Sequence, residues 1–160
     1  MEFQTVTISI PQGCNCIFGQ THFIKTVEDL YEIMRSSCPQ AKFGLAFTEA
    51  SGDCLIRFEG NDQALQEAAV ANLEKIAAGH LFLIFLKDAF PINVLNAIKA
   101  CPEVCSIFCA TANPVEVVIA ETAQGRGVMG VIDGYRPKGI EQEKDRQARH
   151  SLLRKLSYKL

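Results

Sequence analysis

Six large apolar residues stand in a row at Leu81-Phe-Leu-Ile-Phe-Leu86, with Gly79 before them and Pro91 shortly after. The run falls far short of the roughly 20 residues that cross a bilayer. Glycine and proline at its flanks hold it to strand length. A strand that is apolar on both faces of its pleat belongs inside a sheet covered on both sides. The stretch His80–Lys87 therefore predicts a central strand, and the rest of the chain must supply two covering layers.

The neighbouring segments have the patterns that layers require. Residues 3–10 alternate, with Val6, Ile8 and Ile10 on one face, and Pro11-Gln-Gly13 ends that strand. Residues 14–25 read as a loop. Thr26, with Asp29 three positions on, predicts a capped helix start. Val27, Leu30, Tyr31 and Met34 follow at helical spacing, and Cys38-Pro39 stops the helix. Phe43–Thr48 and Leu55–Glu59 read as a hairpin around Ala50-Ser-Gly-Asp53. Asn61 is placed to cap a second helix reaching about Ala78, with Leu65, Ala69, Leu73 and Ile76 inward and Gly79 at the residue past its end. Pro91 suits the first turn of a third helix carrying Val94, Leu95 and Ile98.

Val104–Ala110 is a further buried strand, and a second hairpin follows at Val115–Glu121 and Gly127–Asp133. The last twenty residues read as a helix. Its acids (Glu141, Glu143, Asp145) come early and its bases (Arg154, Lys155, Lys159) late, and Leu152, Leu156 and Leu160 form one stripe for docking. The expectation is a single α/β layered domain over residues 1–160: a mixed β-sheet flanked by helices, a C-terminal β-hairpin and a final docking helix.

Composition narrows the function. With 48% hydrophobic residues, 21% charged residues and a net charge of −2, the chain has no electrostatic footprint for nucleic acid or an anionic membrane. Met1-Glu-Phe-Gln-Thr has neither the basic region nor the apolar core of a signal peptide, so a cytoplasmic location is expected. Seven cysteines include no CxxC pair. They read as core filling rather than a disulfide framework or a structural zinc site, and no metal is expected.

Two groups of polar residues emerge at the strand ends. The connection from Lys87 through the Pro91 helix to Val104 is a βαβ crossover, which makes its two strands parallel with their carboxyl ends together. That end gathers Lys87, Asp88, Asn93, Thr111 and Asn113, and the returning hairpin adds Glu116 and Asp133. Ligands of open α/β sheets sit at such an end, and the helix start after Pro91 offers N–H donors. The opposite end holds His80, Glu121 and the turn Gln124-Gly-Arg126-Gly127. Gly125-Arg-Gly127-Val-Met-Gly130 spells GxGxxG, yet it joins two strands and opens no helix, which disfavours a dinucleotide fold. His22 precedes a helix start and stands three residues before Lys25, a setting in which a phosphorylated imidazole would meet a cation and N–H donors. Each of these residues also has a plain structural use, as turn former, cap or surface group.

Several runs resemble the adenosine-specific kinase family. They are His22-Phe-Ile-Lys-Thr-Val-Glu-Asp-Leu-Tyr31, Lys42-Phe-Gly-Leu-Ala-Phe47, Glu59-Gly-Asn61, Asp88-Ala-Phe-Pro-Ile-Asn-Val-Leu-Asn-Ala-Ile98 and Pro102-Glu-Val-Cys105. Ile107-Phe-Cys-Ala-Thr-Ala-Asn-Pro-Val-Glu116, Gly125-Arg-Gly127 through Asp133-Gly134, and Tyr158-Lys-Leu160 complete the set, so the likeness covers nearly the whole chain. One departure is Ser157, where the family favours Gly. The resemblance implies a cytoplasmic protein, trimeric or a higher multiple, that binds adenosine and AMP and is associated with a phosphorylated histidine. It leaves open whether that residue is His22 or His80.

In physical terms the implied reaction is phosphoryl transfer through an imidazole to the ribose 5′-hydroxyl. His22, Lys25, Asp88 and Asp133 are the catalytic candidates. His80, Phe90, Asn93, Asn113, Glu116 and Arg126 are the substrate-binding candidates. Phe18 and Phe23 join Phe90 as rings that could cover adenine. No Walker or protein-kinase motif is present, so the phosphoryl donor stays open and no cofactor is indicated. A non-catalytic adenosine or AMP sensor is the alternative, and a redox or metal module on Cys14 and Cys16 is a third reading.

Overall fold

A computed structural model describes all 160 residues. Its elements are β1 (Glu2–Ile8), β2 (Asn15–Thr21), α1 (Thr26–Ser37), β3 (Lys42–Thr48), β4 (Ile56–Gly60), α2 (Gln63–Ile76), β5 (Leu81–Lys87), α3 (Pro91–Lys99), β6 (Val104–Thr111), β7 (Val115–Glu121), β8 (Arg126–Asp133) and α4 (Glu143–Lys155). The α/β class and the expected covering layers are found. No helix is long and apolar enough to cross a membrane.

β5 is buried from Leu81 to Leu86, as its apolar run requires. Leu81, Leu83 and Phe85 point into one core with Leu65, Ala69 and Leu73 of α2 and Val115, Val117 and Ile119 of β7. Phe82, Ile84 and Leu86 point into the other, with Leu30 and Met34 of α1 and Val94 and Ile98 of α3. The period-2 alternation of a strand thus divides one apolar run between two cores.

The strands form two sheets, in the orders β4-β3-β5-β2-β6 and β1-β7-β8, and every ladder is antiparallel. This corrects the expectation of a mixed sheet. β5 and β6 do run parallel, but β2 lies between them and pairs antiparallel with both. β2 was expected to be loop because Asn15, Gly19 and Gln20 dilute its apolar content. Gly19 has a specific reason: a Cβ there would lie 2.4 Å from Ser106 O and 2.5 Å from Phe82 Cε1. The strand needs a bare backbone where the neighbouring ring crosses it, beside a register shift in its ladder with β6.

Three helix ends differ from expectation. Thr26 is the first residue of α1 rather than its cap, and its buried hydroxyl bonds Phe23 O and the Thr21 hydroxyl. Asp62 caps α2 by accepting from Leu65 N at 3.1 Å. Asn61 instead ties β3, accepting from Phe43 N and donating to Ala41 O, each at 2.8 Å. Ala77 takes the left-handed position at the end of α2, with φ +52°. Gly79 is needed elsewhere, since a Cβ there would come within 2.7 Å of Ala50 Cβ. Finally, α4 was expected to dock by its leucine stripe, yet none of its residues is buried.

Candidate functional site

The seven residues of β5, at about 3.3 Å each, set the two ends of the main sheet about 20 Å apart. Each end is bracketed by a strained residue: His80 at φ +57° and Asp88 at φ +61°. Non-glycine residues in this region cost of order 1–3 kcal/mol and concentrate at functional positions.

At the first end, backbone pairing brings both candidate histidines together. Thr21 N donates to His80 O at 2.9 Å, His80 N to Thr48 O at 2.8 Å, and His22 N to Glu103 O at 3.1 Å. Thr48 Oγ1 locks the turn by donating to Ala78 O at 2.8 Å and accepting from Leu81 N at 2.9 Å. The His80 ring lies against buried Phe47, with centroids 6.2 Å apart and planes at 26°. A cleft of about 830 Å³ opens here between the sheet end, the end of α2 and the β7–β8 turn. His80, Arg126, Gln20, Thr48, Glu49 and Glu74 supply its polar chemistry. The volume is in the range of small-molecule sites.

Arg126 is half-buried in that cleft. Its Nε bonds Glu121 Oε2 at 3.1 Å and its Nη1 reaches Lys75 O at 3.2 Å, a cation set on the negative end of α2. Nη2 keeps no protein partner. Glu49 is occupied: it accepts from Leu55 N at 2.8 Å and from Arg57, which together hold its carboxyl below the usual range. Glu74 is in no ion pair.

Beside the histidines sits a charged knot absent from the sequence reading. Glu103, 4% exposed, accepts from Cys101 Sγ at 2.8 Å and from Lys25 Nζ at 3.0 Å, and Lys25 also binds Asp29. Hydrogen bonding from the Cys101 thiol, seconded by Lys25, pulls the Glu103 carboxyl down to about 2. Burial and the adjoining carboxylate push Cys101 up to about 11. Hydrogen bonds to Asp29 and Glu103 raise Lys25. Ligand atoms of Asp29, Cys101 and Glu103 lie within 4.8 Å of one another, with Lys25 joined to both carboxylates. The one sequence signal for this knot was an acid placed between two cysteines at the start of a buried strand.

The second end gathers the acid and amide candidates. Asn113 Nδ2 donates to Asp133 Oδ1 at 3.2 Å, and Thr111 Oγ1 accepts from Asn113 N at 3.0 Å. Asp88 stands past Lys87 in the turn before α3. Asn93 Oδ1 accepts from Phe90 N at 2.9 Å, which fixes the α3 start, and Phe90 is exposed. Glu116, also exposed, pairs across the ladders with Thr7 and Ile132.

The sheet therefore sorts the candidates into two sets. His22, Lys25, His80 and Arg126 share the first end; Asp88, Phe90, Asn93, Asn113, Glu116 and Asp133 share the second. The catalytic candidates His22, Lys25, Asp88 and Asp133 therefore do not meet at one place within one chain. β2 is a strand, and it carries His22 the full height of the sheet. Of the rings considered for adenine, Phe18 is buried in the core against Phe108, whereas Phe23 is exposed and stacks on His22 at 6.2 Å.

Among solved structures, the PH1918 protein from Pyrococcus horikoshii OT3 is 42% identical, with a TM-score of 0.94 over 99% of this chain and 98% of that one. Nothing among curated proteins matches. The family model described as adenosine specific kinase matches residues 6–159. The chain belongs to the adenosine-specific kinase family.

Proposed function

We propose that this protein phosphorylates adenosine to AMP, with the phosphoryl group carried in transit on the imidazole of His80. The observation that supports this most is the placement of His80: a strained residue, its ring steadied by Phe47, on the wall of a cleft with room for a nucleoside, beside a free guanidinium edge. In the first step an imidazole nitrogen attacks the donor phosphorus, forming a P–N bond as the donor's P–O bond breaks. In the second, the 5′-hydroxyl oxygen of adenosine attacks, the P–N bond breaks, and the hydroxyl proton passes to a carboxylate. Glu74 suits that role, because Glu49 is held ionised by its donors. Arg126 Nη2 meets the charge on the transferring group. Lys25 is committed to Asp29 and Glu103, so in this reading it orders the loop bearing His22 rather than touching phosphate.

Asp88, Asn113 and Asp133 stand at the other sheet end. They act on the same nucleoside only where a second copy presents them, which fits assembly as a homotrimer or a multiple of it. The test is incubation of the protein with adenosine and a terminally labelled nucleoside triphosphate. Labelled AMP that disappears in His80→Ala supports the reading. Binding of adenosine with no labelled product in any condition favours the sensor instead.

A further inference from the structure

Residues 135–160 leave the body of the protein and do not return to it. Their hydrogen bonds and ion pairs are all internal, and α4 buries nothing. A lone helix of 13 residues is marginal in water, yet this one is fully finished. Asp145 accepts from Gln142 N at its start, Arg149 forks onto Glu141, and Ser157 N and Tyr158 N close the C-terminus on Arg154 O and Leu153 O, each at 2.9 Å. A helix with both ends closed and a leucine face 53% exposed at Leu152 and Leu156 calls for a partner.

Charge points to what the partner is. Eight of the sixteen basic residues but three of the eighteen acidic ones fall in residues 135–160, so the arm carries +5 and residues 1–134 carry −7. The body also has a matching surface. Phe58, 53% exposed on the edge strand β4, forms with Val70 and Ala71 of α2 the apolar floor of a depression of about 560 Å³. Glu67 and Glu74 lie on its wall. Eight linking residues, 135–142, span at most about 28 Å when extended, enough to carry the helix off its own body.

We propose that α4 of one copy docks on the β4–α2 strip of a second copy, its leucine face on Phe58 and Val70 and its basic residues against Glu67. Because arm and strip are different surfaces, the contact is heterologous and closes into a ring when the rotation permits. The inference rests on the reading that copies associate and is independent of the phosphoryl chemistry. A second copy is favoured over nucleic acid or an anionic membrane because the same chain carries the complementary acidic strip.

The test is the mass of the full-length protein in solution by light scattering over a dilution series, at low and high salt. Wild type should be multimeric. Leu152→Asp with Leu156→Asp should weaken assembly at least tenfold while the unfolding midpoint of the body holds. Arg154→Glu with Lys155→Glu, or Glu67→Lys, should each weaken it, and the two charge-reversed chains mixed together should reassociate. A multimeric wild type whose variants all keep its mass overturns arm docking and leaves association standing. Charge variants that fail to rescue each other overturn the receiving strip, and a monomeric wild type overturns both readings.

Discussion

Ser157 stands at φ +59°, in the position past the end of α4 where the chain turns left-handed. The two hydrogen bonds there, from Ser157 N and Tyr158 N, complete a Schellman turn. The resemblance noted Gly at this place as the family's preference, and the angle supplies the physical reason: a Cβ is strained there and glycine is not. Ser157→Gly should raise the helical content of the arm in far-UV circular dichroism. Ala77 has the same strain at the end of α2, and Ala77→Gly should raise the body's stability to urea by up to about 1 kcal/mol. Glu103 gives a pH prediction. Its folded carboxyl titrates near 2, below the ordinary value of 4.5, so the stability it contributes is fully present above about pH 4.5 and is lost as pH falls towards 2. Glu103→Gln should cost about 1–3 kcal/mol at neutral pH, and it should flatten the decline in urea midpoint across that acid window. An unchanged acid profile would show that the knot contributes nothing.

At the scale of elements, what could be read from sequence followed the strength of each pattern. β5, α1, α3 and the β7–β8 hairpin came through because runs of apolar residues or Pro and Gly at the right places define them. β2 did not, because only Cys16, Ile17 and Phe18 mark its core and its glycine looks like a loop residue until the Phe82 ring above it is known. That single omission left His22 without a place on the sheet and hid the antiparallel pairing. Gly19→Val tests the explanation: overpacking against Ser106 and Phe82 should destabilise by about 1–3 kcal/mol in thermal unfolding. Equal stability would mean that β2 tolerates a side chain there. α4 failed for another reason. Its stripe announces docking, but a periodic pattern does not say on which chain the partner surface lies.

For the molecule as a whole, the sequence separated two polar ends correctly from strand direction alone, placing His80, Glu121 and Arg126 opposite Asp88, Asn113 and Asp133. It did not reveal the cleft, whose walls come from α2, the β3–β4 turn and the β7–β8 turn, segments far apart in the chain. Nor did it reveal the Lys25–Glu103 pair, which spans 78 positions. The central claim is that the cleft histidine carries phosphate. The direct measurement is to incubate the protein with a nucleoside triphosphate, digest it under alkaline conditions that preserve phosphoramidate, and locate the modified residue by mass spectrometry. The account predicts an acid-labile phosphate on His80, retained in His22→Ala and absent in His80→Ala. Phosphate found on His22, or label undiminished in His80→Ala, would contradict it.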